Sequence, residues 1–333
     1  MDRDLGNHTL LKVRGLTTRF CTYEGEFNAV NGINLDIRKN ESVALVGETG
    51  CGKSVTALSI LRLIQDPPGK IISGSIVFQG EDLVTKSLEE IRKIRGKKIA
   101  MIFQKPMSSL NPTFKIGTQM ADIMSLHQKI GKKEAWVKSV DLLKNVRLAN
   151  PESIVNRYPH EMSGGMRQRV MIAIALSSNP DLIIADEPTT ALDATIQKQI
   201  LSLIGDLRKE FGFSMLFISH NLRAVYNICE RIYVMYGGDI VECGNTENVF
   251  GHAAHPYFEA LMNSLPKFSL ERNFLAEIPG ILPSPIHPPT GCKFHPRCAW
   301  AFERCLTENP TLWEIGRDHS VACFRAMEVR KHG

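Results

Sequence analysis

The sequence has no long apolar run. No stretch reaches the ~18 uncharged apolar residues that a membrane span needs, so no transmembrane helix is expected. An apolar leader is also missing. The start, Met1-Asp2-Arg3-Asp4, is polar and acidic, so no signal peptide is expected and the chain reads as cytosolic. Charge of one sign is scarce: 40 Lys and Arg face 35 Asp and Glu, a net charge of +5. That balance is too mild for a nucleic-acid binder, which concentrates basic residues in a patch. Internal repeats and low-complexity tracts are absent. In a cytosolic chain the eight cysteines are expected to be reduced unless they hold a metal.

What is present is ordinary globular composition, 43% hydrophobic and 23% charged, over 333 residues. That length suggests about two domains. Four of the eight cysteines lie between Cys292 and Cys323, and six of the 17 prolines between Pro279 and Pro296. This shift marks a small, loop-rich C-terminal module. Upstream, strand-like and helix-like runs alternate, as in an α/β fold with a largely parallel sheet. Ser42–Val46, Leu182–Ala185 and Ser214–Ile218 are short apolar runs that suit strands covered on both faces. From about residue 104 to 163 no such run occurs; Met120–Leu126 and Lys132–Asn145 look helical, so this stretch reads as a helical insert. The basic residues of Lys86–Lys98 read as a solvated helix face rather than a nucleic-acid contact.

Gly47-Glu48-Thr49-Gly50-Cys51-Gly52-Lys53-Ser54 fits the P-loop pattern, with a strand ending at Val46 before it and a helix expected over Val55–Leu63 after it. Its glycines let backbone N–H groups face phosphate oxygens at a helix N-terminus. Lys53 would reach the β- and γ-phosphates and Ser54 would ligate Mg²⁺. The run Leu182–Ala185 ends in Asp186 and Glu187. Asp186 is placed to hold Mg²⁺. Glu187 faces the other way if the strand continues, and is placed as the general base for an attacking water. Ser163-Gly164-Gly165 opens a helix over Val170–Leu176, which makes a second anion-binding N-terminus or a plain serine cap. His220, after the third strand, and Gln104, after Ala100–Phe103, are single polar residues at strand ends. Cys51 sits at a helix N-terminus, where a thiol pKa tends to fall.

Taken together, these residues resemble the ATP-binding subunits of ABC transporters. Ser163-Gly164-Gly165 resembles the family's signature loop, Asp186-Glu187 its second acidic motif, Gln104 its Q-loop, Ala191-Leu192-Asp193 its D-loop and His220 its switch histidine. The resemblance covers roughly residues 10–330. Finer details are similar to the bacterial dipeptide and oligopeptide importers, with nickel and glutathione relatives: Phe103–Pro112, Met162–Arg169, His255-Pro256-Tyr257 and Gly291–Cys298. Met162 and Met166 stand where the commoner signature has Leu and Gln. The resemblance further implies an aromatic residue against adenine, Phe20 by strand register or Tyr23 by distance from Gly47.

The spacings Cys292-x₅-Cys298-x₆-Cys305-x₁₇-Cys323 contain no close chelating pair of the kind zinc modules usually carry. Four thiolates suit an iron–sulfur cluster or zinc. His295 and His319 leave mixed zinc ligation open, and plain packing cysteines are the third reading. The resemblance to peptide importers implies a [4Fe-4S] cluster at Cys292, Cys298, Cys305 and Cys323. Because every nucleotide-site candidate lies before residue 221, nucleotide binding is expected to survive loss of the cluster, whose role reads as structural or docking rather than catalytic.

The expected fold is therefore an ABC-type α/β P-loop ATPase core with a helical subdomain and a small loop-rich C-terminal metal-binding module. The divisions are 1–103 and 165–250 for the core, 104–164 for the helical subdomain with the signature loop, and 251–333 for the C-terminal module. The resemblance implies a peripheral protein on the cytoplasmic face of the membrane. Its partners would be two permease subunits, a second and similar ATPase subunit, and indirectly an extracytoplasmic peptide-binding protein, with no nucleic acid. ATP would bind between two subunits, the second lending Ser163-Gly164-Gly165 and the neighbourhood of Asp193. A soluble ABC ATPase acting on DNA or ribosomes is the rival class. Against it stand the short interval between Gln104 and Ser163, which holds no heptad run, and the single P-loop.

Overall fold

Ser42–Val46 forms a strand whose five residues are all buried, as its uninterrupted apolar run requires. The computed structural model describes residues 9–190, 192–264 and 278–329. The chain divides into two compact units: Met1–Asp36, Ser42–Val84 and Ile218–Gly333 form one, Ile37–Glu41 and Thr85–Phe217 the other.

In the first unit, Ser42–Val46 pairs in parallel with Arg231–Tyr236. From there the sheet departs from the expected parallel arrangement. Arg231–Tyr236 turns back into Asp239–Asn245 through Gly237 and Gly238, both at positive φ. So short a connection permits only antiparallel pairing. His319–Val321 and Trp313–Gly316 then add antiparallel strands at the edge. The C-terminal module is thus continuous with the sheet that carries the P-loop. The unit also holds an antiparallel sheet in the order Gly25–Arg38, Thr9–Thr22, Gly69–Phe78, Glu81–Asp82. The helix expected over Val55–Leu63 runs over Lys53–Ile60, beginning at the P-loop lysine itself.

In the second unit, Ile99–Ile102 and Leu182–Asp186 pair in parallel, and Ser214–Ile218 follows next in order. Among the described residues, the interval between Ile102 and Leu182 contains helices only, including Ile116–Gln128, Lys132–Asn145 and Gly164–Leu176. The last begins six residues before the expected Val170. The Ser163 hydroxyl accepts the Met166 N–H at 3.3 Å, so the signature glycines are themselves the first helical turn. Ala194–Phe211 is the longest helix among the described residues, with Ile200, Leu203, Ile204 and Leu207 forming its buried face.

Candidate functional site

The P-loop half of the site lies in the first unit. Gly47, Gly50 and Gly52 have φ of +152°, +88° and +110°. A side chain at Gly52 would bring its Cβ within 2.3 Å of the Ala29 carbonyl oxygen, and one at Gly47 within 2.2 Å of that of Met235. Both positions therefore require glycine. Lys53, 4% exposed, donates from Nζ to the carbonyl oxygens of Gly47 at 2.9 Å and Glu48 at 2.8 Å. The ammonium is thus drawn into the curl of the loop. Thr49, Gly50 and Ser54 are exposed. The Cys51 thiol departs from expectation: it is 1% exposed, and burial pushes its pKa up, outweighing the nearby Lys53 charge. His220 lies beyond the strand Ser214–Ile218 and is exposed, just before the Leu222–Ile228 helix capped by Asn221. At the other sheet, the Phe20 ring stacks on Phe27 at 5.8 Å. Tyr23 sits in the turn between those strands with its side chain fully exposed.

The acidic half lies in the second unit. Asp186 ends its strand and is buried. Glu187 does not continue the strand: its φ is +45°, in the left-handed region, which costs about 1–3 kcal/mol for a residue with a side chain. The alternating orientation expected of an extended residue therefore does not apply. The bend turns its carboxylate to Gln104, whose Nε2 donates to Glu187 Oε2 at 2.7 Å. Thr190 Oγ1 donates to the same oxygen at 2.9 Å. The sequence brought Gln104 and Glu187 forward separately; the structure joins them and adds Thr190. Gly165 sits where a Cβ would meet Ile196 at 2.9 Å, and Gly164 where one would lie 3.4 Å from Leu192. The signature helix thus begins against the segment that starts Ala194–Phe211. Asp193 caps that helix, its Oδ1 accepting the Ile196 N–H at 2.9 Å. Ala191 lies outside the described residues.

Sequence reasoning missed two residues that grip the P-loop from the C-terminal region. The Tyr257 hydroxyl accepts the Glu48 N–H at 2.7 Å. Arg297 holds the Glu48 carboxylate at both oxygens, Nη1 to Oε2 at 2.7 Å and Nη2 to Oε1 at 2.9 Å. The sequence offered no sign of this tie between the C-terminal region and the P-loop. The physical cause is a contact spanning 249 positions, for which no local pattern gives a signal. Tyr257 and Arg297 were visible only as members of longer motifs.

Cys292, Cys298, Cys305 and Cys323 line one cavity, together with Phe294, Trp300, Pro310 and Phe324. Burial, and after it the neighbouring thiols, outweigh backbone hydrogen bonds that act the other way, so Cys298 is pushed up to about 11, Cys323 to about 12, and Cys292 is raised. Among the described residues, no three His, Cys, Asp or Glu side chains converge closely enough to hold a metal ion. The donor chemistry suits a soft metal group, while the spacing is not that of a single ion's coordination shell. Nor is any helix among the described residues long and apolar enough to cross a membrane.

Comparison with known proteins fits this layout. The ABC transporter family model matches residues 30–190, and the model for the oligopeptide/dipeptide transporter C-terminal region matches residues 241–305. The chain is 48% identical over 321 residues to the Sinorhizobium fredii protein named "Probable peptide ABC transporter ATP-binding protein", covering 96% of each. It is 47% identical over 313 residues to the oligopeptide transport ATP-binding protein OppD of Bacillus subtilis, covering 94% of this chain and 87% of that one. A solved dimeric ATP-binding cassette, bound to ADP and phosphate after hydrolysis, superposes with a TM-score of 0.64 at 27% identity, covering 71% of this chain and 99% of that one. The chain belongs to the ABC transporter ATP-binding proteins, in the branch that carries the oligopeptide/dipeptide transporter C-terminal region.

Proposed function

We propose that this ABC ATPase is the motor of an importer for dipeptides or oligopeptides, seated on the cytoplasmic face of the membrane against two permease subunits. The observation that carries the reading is the joint match to the ABC cassette and to the peptide-transporter C-terminal region in one chain. The transport ATP-binding relatives extend along nearly its whole length. Importers of nickel, glutathione or another small solute are the alternative within the same branch. A similar, non-identical ATPase is the proposed partner, with an extracytoplasmic peptide-binding protein delivering cargo.

In this reading Gly47–Ser54 wraps the phosphates, with Lys53 leaving its loop carbonyls to neutralise the β- and γ-oxygens. Phe20 is assigned to the adenine face, with the exposed Tyr23 as second candidate. Ser54, Gln104 and Asp186 present oxygen donors of the kind that suit Mg²⁺, which supplies charge neutralisation on the β- and γ-phosphates when bound. Glu187 takes the proton of the attacking water, oriented for that task by Gln104 and Thr190 through a shared carboxylate oxygen. His220 bonds the γ-phosphate from its exposed strand end. Ser163, Gly164 and Gly165 serve the partner's nucleotide. Asp193, which caps the neighbouring helix, is assigned with its neighbourhood to the cross-subunit contact. Residues 104–164 form the permease-facing subdomain and 251–333 the branch-specific module.

The four C-terminal thiols are assigned to a [4Fe-4S] cluster, zinc being the alternative. The support is that all four line one cavity and that thiolates are the ligands such groups take. The assigned role is structural, since hydrolysis needs phosphate clamps and a base but no electron transfer.

Light scattering with Mg-ATP tests the shared site. The isolated chain is expected to be mostly monomeric and a poor ATPase, because its natural partner is a different subunit. A tight homodimer without nucleotide contradicts that arrangement.

A further inference from the structure

Glu48 is held from both sides by the C-terminal region. Its N–H goes to the hydroxyl of Tyr257, whose side chain is wholly buried. Its carboxylate goes to Arg297 in a bidentate pair, the geometry that fixes orientation as well as distance. The Arg297 side chain is 4% exposed and that of Glu48 28%. Arg297 uses its other donors too, giving Nε to the Pro279 carbonyl at 2.8 Å and Nη1 to the Tyr236 hydroxyl at 3.4 Å. Tyr236 packs edge-on against both Tyr257 and Phe294, so the latch sits on a rigid aromatic floor.

The place where this latch lands matters. Glu48 directly follows Gly47, and its carbonyl oxygen is one of the two that hold the Lys53 ammonium. The residue that Arg297 grips therefore shapes the curve along which the loop's N–H groups and Lys53 face a phosphate. Arg297 ends the His295–Arg297 turn and immediately precedes Cys298. A shape change between Cys292 and Cys298 has a path of two side chains to the P-loop.

We propose that Arg297 is a positioning residue of the phosphate loop, acting through Glu48, so that the C-terminal module sets the affinity of the chain for nucleotide. The proposal rests on the P-loop reading above. It differs from simple docking of the module, for which any surface residue would serve as the anchor and phosphate binding would be indifferent to the pair.

The test titrates full-length protein with a fluorescent ATP analogue and with ATP as competitor, alongside thermal melting without nucleotide. Arg297→Gln and Glu48→Gln are each expected to weaken ATP binding about tenfold or more, the scale on which supporting residues act on a bound group. Arg297→Lys, which keeps the charge but loses the bidentate fork, is expected to fall between parent and Arg297→Gln. The double variant Glu48→Gln/Arg297→Gln should bind no more weakly than the worse single variant, since both cut one connection. Parental affinity in a folded Arg297→Gln or Glu48→Gln protein overturns the proposal, as does a double variant whose loss is the product of the single losses. If Arg297→Gln does not fold, Glu48→Gln and Arg297→Lys decide by the same criterion. Lys53→Ala separates the two levels. If it leaves ATP affinity unchanged the P-loop reading itself fails, whereas a weak Lys53→Ala beside a parental Arg297→Gln removes only the latch.

Discussion

Replacing Glu187 by Gln removes a carboxylate and almost nothing else. Two donors at this side chain, Gln104 Nε2 at 2.7 Å and Thr190 Oγ1 at 2.9 Å, end on one oxygen, and a glutamine amide oxygen can accept both. Backbone shape, packing and ATP affinity should therefore persist. On the proposed assignment, the proton acceptor for the attacking water does not. Losing a general base costs about 10²–10⁴-fold in rate, or about 3–5 kcal/mol in activation free energy. Gln104→Ala perturbs the same base less directly. It deletes one hydrogen bond to a charged acceptor, worth about 1.5–3 kcal/mol, so the rate should fall by roughly ten- to a hundredfold. Combining the two changes should cost clearly less than the product of the single losses, because a glutamine that cannot act as base gains nothing from being aimed and only the contribution of Gln104 to Mg²⁺ is left to lose. Phosphate release at saturating ATP gives the rates and nucleotide titration gives the affinities. Near-parental hydrolysis by Glu187→Gln refutes the assignment of the base, and additive losses in the double variant refute the role given to Gln104.

Other outcomes follow from single contacts. Gly52→Ala places a Cβ 2.3 Å from the Ala29 oxygen at φ +110°, so guanidinium unfolding should show a loss of about 3 kcal/mol or more; an unchanged midpoint would mean that the loop moves freely. His255 is buried and burial holds its pKa at about 3. It accepts the Tyr257 N–H, and Glu242, itself bonded to His319, faces it. The unfolded chain binds the imidazole's proton first, near pH 6.5. Stability is therefore fully present above that pH and should fall by about 1.4 kcal/mol per unit below it. The carboxyl pKa of Glu242 is raised by burial and works with the opposite sign. His255→Asn keeps the helix cap and leaves Glu242 in place, so a flatter acid limb in this variant isolates the imidazole, and parallel limbs count against it. Anaerobically prepared protein should carry about four irons per chain, with about one zinc supporting the alternative. Neither metal would remove both, and Ser in place of any one of the four cysteines should release the iron. Because Arg297 abuts Cys298, Cys298→Ser should also weaken nucleotide binding through the latch proposed above.

The parts of this fold that repeat locally could be read from sequence. Ser42–Val46 and Ser214–Ile218 are strands at the expected bounds, since a run of five buried residues, four of them apolar, leaves little freedom. Lys132–Asn145 is a helix over its full expected length. The signature helix was placed late because glycines weigh against helix on propensity, whereas the Ser163 cap starts it at Gly164. Glu187 was legible as a carboxylate after a strand but not as a left-handed residue bent toward Gln104, because that bend depends on a residue 83 positions away. The grip of Arg297 on Glu48 is the extreme case. Nothing in a motif centred on cysteines signals that its arginine serves a loop near the other end of the chain.

The central claim, a motor for peptide import, is tested most directly by uptake of labelled di- and tripeptides into cells whose only copy of this chain carries Lys53→Ala. The account predicts that peptide uptake falls to background while uptake of free amino acids is unchanged. Peptide uptake at the parental rate in those cells would contradict it.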